Sequence, residues 1–310
     1  MNLQHFCAPP RSRWTCWLAA ATCTTGLAYG GMLAVLWWQQ ETLLFQPQTL
    51  PAEHRFDVGS DVRESWVSVP GARLNALHLQ LPKPDGVVFF LHGNAGSLAN
   101  WFVNVDFYRR LNFDLYMIDY RGYGKSSGQI ESQAQLIADV RAAWLGIAPR
   151  YAGLRRVFFG RSLGTGLAAE LAAELAAEMQ PVLTVLASPY TSMLALAQAH
   201  CPWAPSLLLR YLLRYPLRTD EALPRVHGSV LLLHGERDTL ISAAHSQRLL
   251  SVVPKARLVI VPGAAHNDLQ RFTAYSDALA HAMQPARAAV NSVSPGAGAA
   301  LQTGTRPQPR

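Results

Sequence analysis

Six short apolar runs, each about as long as a β-strand, constrain the fold of this chain most. They read, in order, GVVFFLHG, FDLYMID, RRVFFG, PVLTVLAS, SVLLLHG and ARLVIVPG. Because these runs do not alternate with polar residues, they are typical of strands that are buried on both faces of a sheet. Helical patterns lie between them, at about residues 98–111, 131–148, 163–179, 242–251 and 267–283. Strands that alternate with helices predict an α/β domain with a mostly parallel sheet and helices on both of its faces.

Two further segments predict an antiparallel edge of that sheet. SWVSVP and ARLNALHLQL alternate in hydrophobicity with a period of two and flank a Pro-Gly turn, so they are expected to pair as a hairpin. The sheet then has about eight strands, in a domain of about residues 62–284. A chain of 310 residues that is 50% hydrophobic can bury a core of that size.

Three segments depart from the regular alternation. Residues 188–224 carry several prolines and short apolar helical runs. They form either a short cap over a site, which we favour, or a connection between two strands with extra turns. The repeat LAAELAAELAAE, residues 167–178, predicts one continuous helix because its leucines and its glutamates each recur every four residues. The tail, residues 285–310, is rich in Pro, Gly, Ser and Ala and is expected to be disordered.

The N-terminal part of the chain predicts a membrane anchor. Residues 14–40 contain no Lys, Arg, Asp or Glu. At about 1.5 Å per residue, a helix of that length exceeds the hydrocarbon core of roughly 30 Å. Tryptophans at both ends, at positions 14, 17, 37 and 38, match the aromatic belts of the two membrane interfaces. A cleaved signal peptide is the alternative, but its apolar region is usually only about 7 to 15 residues long. We favour the uncleaved anchor, because cleavage at LAYGG would leave the apolar segment MLAVLWW exposed.

The flanking charges predict the orientation of this anchor. Arg11 and Arg13 precede it and Glu41 follows it, so the positive-inside rule places residues 1–13 in the cytoplasm. Residues 41–61 are then a linker, and their first part, within QETLLFQPQTLP, is either a linker or a docking strap. The main domain is expected on the extracytoplasmic side, which is the periplasm if the organism is bacterial.

Charge and cysteine content exclude several classes of function. The formal net charge is +7, but Lys and Arg are spread along the chain without a basic stripe, so nucleic-acid binding is not expected. Cys7, Cys16 and Cys23 lie in the N-terminal segment and only Cys201 lies in the rest of the chain. We therefore expect no disulfide framework and no metal site within the main domain.

A serine between glycines is the strongest candidate for chemistry. It occurs in GRSLG, residues 160–164, which follows an apolar strand pattern and opens a helical one. The G-x-S-x-G nucleophile elbow requires that context: Gly160 and Gly164 mark a tight turn with close packing, and Ser162 lies at its tip. Because a serine hydroxyl is a poor nucleophile alone, the hypothesis requires a histidine as base and a carboxylate that orients the histidine.

Both of these partners follow later strands. GERD places Asp238 just after one apolar run, and GAAHND places His266 just after the next. Ligand sites in open α/β sheets lie at the carboxyl ends of the strands, where these side chains are expected to meet. We interpret His234, which ends a strand, as a structural histidine, and Asp268 as a charge at the N-terminus of the following helix.

The loop after the third strand predicts an oxyanion hole. Its sequence, LHGNAGS, contains Gly93 and Gly96, so its backbone can present an N–H group to a developing negative charge. The geometry of the elbow assigns the two donors to the backbone amides of Asn94 and Leu163. His92 is expected to brace the loop.

The segments HGNAG, DYRGYGKS, GRSLG, GERD and GAAHND, in this order, resemble those of the α/β-hydrolase superfamily. The resemblance is greatest to its single-pass, membrane-anchored branch, which includes serine-aminopeptidase-like and depalmitoylase-like proteins, and it covers about residues 62–284. It implies Ser162 as the nucleophile, His266 as the base and Asp238 as the residue that orients the base. It implies no metal and no organic cofactor.

These observations predict a serine hydrolase that cleaves carboxylic esters or thioesters through an acyl-enzyme on Ser162. The expected substrate is a small or lipid-like acyl compound, with an aliphatic pocket lined by the cap segment SLLLRYLLRYPL. Two alternatives stay open: a membrane-anchored serine peptidase of the aminopeptidase type, and a catalytically silent α/β-hydrolase domain that only binds. Acyl chain length, leaving group and oligomeric state are not determined by the sequence.

Overall fold

The structure, a computed structural model, describes residues 13–284 of the chain. Residues 1–12 and 285–310 hold almost all of the predicted cytoplasmic N-terminus and the whole predicted tail, and they lie outside the described residues. The main element is an eight-stranded sheet with helices on both faces, and the predicted fold class is confirmed.

The strands of this sheet coincide with the predicted segments. They are β1 (Val62–Val69), β2 (Ala72–Leu79), β3 (Gly86–Leu91), β4 (Phe113–Ile118), β5 (Arg155–Arg161), β6 (Leu183–Ala187), β7 (Ser229–Gly235) and β8 (Arg257–Val261). Their order across the sheet is β8-β7-β6-β5-β3-β4-β2-β1. As predicted, the β1–β2 hairpin is the antiparallel edge, and the six strands β3 to β8 pair in parallel.

Helices precede, connect and follow these strands. Before the sheet lie α1 (Arg13–Trp38) and α2 (Gln40–Leu44). Between the strands and after them lie α3 (Leu98–Trp101), α4 (Val105–Arg110), α5 (Gln133–Ile147), α6 (Leu163–Glu174), α7 (Met193–His200), α8 (Ser206–Leu212), α9 (Thr219–Ala222), α10 (Ala244–Val252) and α11 (Thr273–Met283). Short 3₁₀ turns occupy Ala148–Tyr151, Ala177–Met179, Leu223–Arg225 and Leu269–Arg271.

The apolar runs pack into two cores, one on each face of the sheet. Side chains of a strand alternate between the faces, so Phe89 of β3 packs towards α5 and α6 while Phe90 packs towards α4 and α11. The Phe89 ring stacks on Trp144, with ring centroids 5.8 Å apart, and the Phe90 ring stacks on Phe159 at 4.5 Å. Burial on both faces explains why these strands carry continuous apolar runs.

Three predicted helices differ from the structure. The helix predicted over 98–111 is split into α3 and α4, and the helix predicted from 267 begins only at Thr273. Helix α6 ends at Glu174, although the repeat continues to residue 178. Leu175 is already extended and its side chain is buried in the core, because the chain turns there to enter β6.

The first part of the predicted linker is bound to the domain, which agrees with a docking strap and not with a free linker. We call residues 45–50 the strap. Within it, Gln46–Pro47 pairs in parallel with Ala95–Gly96 after β3. The amide of Leu50 donates a hydrogen bond of 2.8 Å to the carbonyl of Gly124. The chain that leaves α1 and α2 is therefore fixed on the loop that follows β3.

Helix α1 is the candidate membrane anchor. Its residues Trp14–Trp38 have a mean hydropathy of 1.4, and only 6% of the most apolar part is buried. By length and composition, it is the one helix in the described part of the chain that could cross a membrane. A signal sequence meets the same two criteria, so the anchor stays a prediction at this point.

A buried polar cluster links β2, β4 and the turn after α5. The Tyr151 hydroxyl donates to Oδ2 of Asp114 at 2.6 Å, and Nε2 of His78 lies 2.6 Å from the same hydroxyl. Nε2 of Gln80 lies 3.0 Å from Nδ1 of His78, a contact that suits a neutral ring. Burial, with the charge of Arg150 as a second cause, lowers the pKa of His78 to about 4.

We predict that this histidine makes the fold less stable as the pH falls from about 6.5 to about 4. In that window His78 takes up a proton in the unfolded chain but stays neutral in the folded protein. The free energy of unfolding then falls by up to about 1.4 kcal/mol per pH unit. Urea unfolding at a series of pH values checks this, with His78→Gln as the comparison. Equal pH slopes for the two proteins would contradict the prediction.

Candidate active site

Ser162 lies in a strained turn at the carboxyl end of β5. Its φ of 51° falls in the left-handed region, and the next residue begins α6. Its amide donates to the carbonyl of Ala187, at the end of β6, over 2.9 Å. The amide and the hydroxyl of Thr165 donate to its carbonyl at 2.9 and 2.6 Å. These bonds hold a conformation that typically costs about 1–3 kcal/mol.

Two glycines permit this turn because they leave room for a backbone contact. A Cβ built on Gly164 would lie 2.0 Å from the carbonyl oxygen of Leu91, at the end of β3. A Cβ on Gly160 would lie 2.4 Å from the carbonyl oxygen of Gly164. Neither residue has a φ in the left-handed region, so close packing, and not an unusual backbone conformation, requires glycine at both positions.

The structure brings Ser162, His266 and Asp238, which we call the triad, together from the ends of three strands. Nε2 of His266 lies 3.0 Å from Oγ of Ser162, and Nδ1 of His266 lies 2.7 Å from Oδ2 of Asp238. All three residues are buried. Such a series can pass the serine proton to the imidazole, while the carboxylate determines which ring nitrogen carries the other proton.

The surroundings of Asp238 keep it ionised. Burial acts to raise the pKa of Asp238, but contacts from His234 and His266 and the amide of Ile241 hold this pKa well below its usual value. Oδ1 accepts hydrogen bonds from the amides of Leu240 and Ile241 at 3.0 and 2.8 Å. A carboxylate that stays charged can stabilise a positive imidazolium on His266.

His234 and Asp268 are two further polar residues next to the triad, and both help to position it. Both ring nitrogens of His234 have partners, the hydroxyl of Ser246 and a backbone carbonyl, each at 2.7 Å. The histidine is therefore structural, as predicted. Asp268 accepts a hydrogen bond of 2.7 Å from the amide of Ala265 and so closes the turn that carries His266. Its predicted place at a helix N-terminus is wrong, because only a 3₁₀ turn begins there.

Arg161 is a buried charged residue at the candidate site that the sequence did not single out. Its side chain is buried beside the triad, and Nη1 donates to the hydroxyl of Ser188 at 2.9 Å. Nη2 donates to the carbonyl of His266. Burial lowers the pKa of Arg161. A signal was present in the sequence, since a charged residue at the end of a buried strand must find hydrogen-bond acceptors there.

The loop with the predicted oxyanion donors lies directly against the serine. A Cβ built on Gly93 would lie 3.6 Å from the Cβ of Ser162. Asn94 is the next residue of this loop. Leu163 is the first residue of α6, where backbone N–H groups have no acceptor within the helix. The two predicted donors thus belong to the two segments that flank the serine.

Hydrogen bonds from several directions fix this loop. The carbonyl of Asn94 accepts from the strap amide of Gln46 at 2.8 Å and from the hydroxyl of Tyr123 at 2.6 Å. His92 is fully buried and its Nδ1 lies 2.7 Å from the next carbonyl, so it braces the loop as predicted. Gly96 has a φ of 90°, which allows the chain to turn into α3.

The described residues contain no candidate metal site, and their cysteines are free thiols. Across residues 13–284, no three His, Cys, Asp or Glu side chains cluster in a way that could hold a metal ion. Cys16, Cys23 and Cys201 are free thiols, and Cys7 lies outside the described residues.

A cleft of about 740 Å³ opens between α4 and α11, and Ser162, His266 and Asp238 are not among its lining residues. Arg161 and Asn267, which adjoin Ser162 and His266 in the chain, both line it. Its apolar lining comprises Phe90, Trp101, Phe107, Met117 and Leu279, among others. The strap reaches the same cleft through Gln48.

The prediction that SLLLRYLLRYPL lines an acyl pocket gains no support from this cleft. No residue of the range 188–224 lines the cleft. In α8, Leu209 is buried, whereas Leu207 and Tyr211 are 64% and 79% exposed. The helix therefore buries one face against the protein and exposes its other apolar side chains.

The sheet order and the placement of the three residues define an α/β-hydrolase, and comparison with known proteins agrees. The family model described as serine aminopeptidase, S33, matches residues 82–216. An uncharacterized protein of Mycobacterium tuberculosis is 32% identical over 251 residues, which cover 78% of this chain and 85% of that protein. Alpha/beta hydrolase domain-containing protein 17B of Homo sapiens is 29% identical over 205 residues, 64% and 66% of the two chains. The chain belongs to the α/β-hydrolase superfamily and is a hydrolase.

Solved structures show the same fold. An esterase of Pyrococcus furiosus matches with a TM-score of 0.58 over 78% of this chain and 98% of its own, at 18% identity. Est1E of Butyrivibrio proteoclasticus matches with a TM-score of 0.55 over 71% of this chain and 96% of its own, at 16% identity. The solved structures confirm the fold, and the relatives described above confirm the resemblance at the level of the superfamily.

We predict that Gly164→Ala destabilises the protein, because the added methyl group meets a rigid backbone carbonyl of β3. The expected loss in free energy of unfolding is about 1–3 kcal/mol, measured as a lower Tm by circular dichroism. Gly146→Ala is the matched control, since Gly146 lies in α5 and a Cβ there meets no atom within 4 Å. A Gly164→Ala variant with the same Tm as Gly146→Ala would contradict this role of the glycine.

Proposed function

We propose that the protein is a serine hydrolase of carboxylic esters or thioesters. Ser162 attacks the acyl carbonyl, His266 takes the serine proton at Nε2 and returns it to the leaving group, and Asp238 orients the ring. Water then attacks the acyl-enzyme, with His266 again as the base. The observation that carries this proposal is the continuous hydrogen-bond series of 3.0 and 2.7 Å through the imidazole.

The negative charge of the tetrahedral intermediate needs donors that are already in place. We assign this role to the backbone amides of Asn94 and Leu163, and one such donor is typically worth about 10²- to 10³-fold in rate. The strap supports this assignment because it fixes the loop of Asn94 from outside. Arg161 acts as a positioning residue, because it holds the backbone of His266.

The cleft supports a substrate with an apolar acyl group. Its aromatic and aliphatic lining offers a place for an acyl chain, and Arg161 and Asn267, the chain neighbours of Ser162 and His266, are part of that lining. Apolar clefts with a few polar groups are typical of small-molecule sites. Every step assigned above uses side chains, backbone amides and water. No cofactor enters it.

A peptidase is the second candidate, favoured by the description of the matching family model as a serine aminopeptidase. An aminopeptidase needs a carboxylate that holds the free amine of the peptide. Asp106 is the acidic residue that lines the cleft, and its Oδ1 is already paired with Arg109 at 2.7 Å. The chemistry of the cleft therefore favours acyl substrates over peptides.

We further propose that α1 is an uncleaved single-pass anchor, with the N-terminus in the cytoplasm and the hydrolase domain on the extracytoplasmic side. The apolar helix of 25 residues and the arginines before it support this. Between Trp38 and Gln46 the chain can span at most about 20 Å, because α2 occupies most of that stretch. The site is thus held near the membrane surface, which suits an acyl substrate carried in lipid.

We predict that Ser162→Ala and His266→Ala each lower kcat/KM for acyl esters by at least about 10⁴-fold, since each removes a member of the triad. The full chain in detergent is assayed with p-nitrophenyl esters and acyl thioesters of increasing chain length. Ser251→Ala removes an exposed serine on α10 and should leave turnover unchanged. The chain-length optimum reports how much acyl chain the cleft accepts.

The outcomes separate the candidate functions. Ester turnover that survives Ser162→Ala would contradict the assignment of the nucleophile. A folded wild type that releases N-terminal residues from peptides but cleaves no ester or thioester would favour the peptidase. Absence of turnover on all three substrate types would favour a domain that only binds.

A further inference from the structure

The second half of α1 packs on the hydrolase domain along one stripe. Tyr29, Leu33, Leu36 and Gln40 are the less exposed residues at its end, and Leu33 is buried at 8% exposure. Their spacing of four, three and four residues places them on one helical face. The other apolar side chains of α1 are exposed. The helix therefore lies against the domain from Tyr29 onward.

Residues 188–224, which we call the cap segment from here on, provide the surface for this stripe. The Tyr29 and Trp203 rings meet edge to face with centroids 6.0 Å apart, and the Arg214 guanidinium lies 5.5 Å from the ring centre of Trp37. The side chain of Gln40 donates to the carbonyl of Leu212 at 2.7 Å. It also accepts from the amide of Arg214 at 2.9 Å.

An ion pair fixes the same junction. Glu41, just after α1, lies 2.6 Å from a guanidinium nitrogen of Arg214 and accepts a hydrogen bond of 2.9 Å from the Tyr215 hydroxyl. The position of the cap segment relative to α1 is thus set by side-chain bonds on both sides of the helix end.

The length of α1 then determines how deep in the membrane the cap segment lies. Tyr29 precedes Trp38 by nine residues, or about 13 Å along the helix. Residues 14–28 alone would cover only about 22 Å, which is less than the roughly 30 Å of a hydrocarbon core. To span the bilayer, α1 must have Tyr29 within the hydrocarbon region or at its edge. Trp203, which contacts Tyr29, must lie at the same depth.

The side chains that the cap segment exposes suit that depth. Trp203, Leu207 and Tyr211 are 47%, 64% and 79% exposed, and the last two are four residues apart on one face of α8. Trp and Tyr are the side chains enriched at membrane interfaces. Arg210 is exposed next to them, where its long side chain can reach lipid phosphates.

We propose that Trp203, Leu207, Arg210 and Tyr211 form a membrane-docking surface that inserts into the leaflet next to α1. This rests on the proposed anchoring by α1. The surface lies on the connection between β6 and β7, at the carboxyl edge of the sheet that also carries Ser162. The domain is therefore held against the lipid in a fixed orientation, with two contacts in place of a single flexible tether. The occupant of the surface is the lipid bilayer itself.

Depth-dependent fluorescence quenching tests this docking surface. The full chain, with its four native cysteines replaced, carries one cysteine labelled with a nitrobenzoxadiazole dye and is reconstituted into vesicles of phosphatidylcholine and phosphatidylglycerol. Leu207→Cys and Tyr211→Cys should give blue-shifted emission that lipids spin-labelled near the headgroup quench. Leu154→Cys is the matched control, because Leu154 is an exposed leucine at the opposite, amino end of β5, and it should report water.

Emission at positions 207 and 211 equal to that at position 154 would overturn the proposal. Tyr29→Cys reports the anchor separately. If position 29 is quenched and position 207 is not, the docking surface fails while the anchor stands. If neither is quenched, both fail. These readouts do not depend on any enzymatic activity, so they are independent of the proposed hydrolysis.

A charge substitution tests the consequence for turnover. Leu207→Glu combined with Tyr211→Glu should lower hydrolysis of an ester carried in vesicles by at least about tenfold, because carboxylates are costly in the membrane. Hydrolysis of a short, soluble ester should not change, since neither residue lines the cleft. Equal loss on both substrates, or no loss on the vesicle substrate, would count against the surface.

Discussion

The close approach of α6 to the end of β3 is the contact on which the rest of this structure depends. Gly164 has no side chain, so its backbone can pack on the carbonyl of Leu91. That contact places Ser162 beside the loop of Gly93, and it leaves the serine within reach of His266 on the far side. A strained φ at Ser162 persists because bonds from two neighbouring segments hold it there.

The N-terminal segment has more than one physical role. Helix α1 contacts the cap segment, and the strap that follows pairs with the loop behind the predicted oxyanion donors. Membrane position and loop geometry are consequently connected through one short stretch of chain. A simple linker would let the domain move freely, whereas these contacts fix its orientation relative to α1.

Much of the fold could be read from the sequence because its signals are local. All eight strands are continuous apolar or alternating runs, and their carboxyl ends carry Ser162, Asp238 and His266 in the order that the sheet requires. The end of α6 could not be predicted, because the repeat itself contains no stop signal and the turn is imposed by the entry into β6. The sequence allowed a docking strap but could not indicate its partner, because that partner is a loop about fifty residues later.

The missed features of the site depend on contacts between distant segments. Arg161 is visible as a charge in an apolar context, but its acceptor is the backbone of a residue 105 positions later. The cleft lies between α4 and α11, which are far apart in the chain, so no local sequence pattern could indicate it. The exposed faces of that segment have a different explanation, in the lipid next to α1.

Labelling with a fluorophosphonate, followed by mass spectrometry of the digested protein, tests the central assignment most directly. The reagent reacts with a serine only where a base activates the hydroxyl and donors stabilise the oxyanion. The account predicts one modified residue, Ser162, in the full-length wild type and a strongly reduced rate of modification in His266→Ala. A folded wild type that stays unmodified, or that is modified at a different serine, would contradict it.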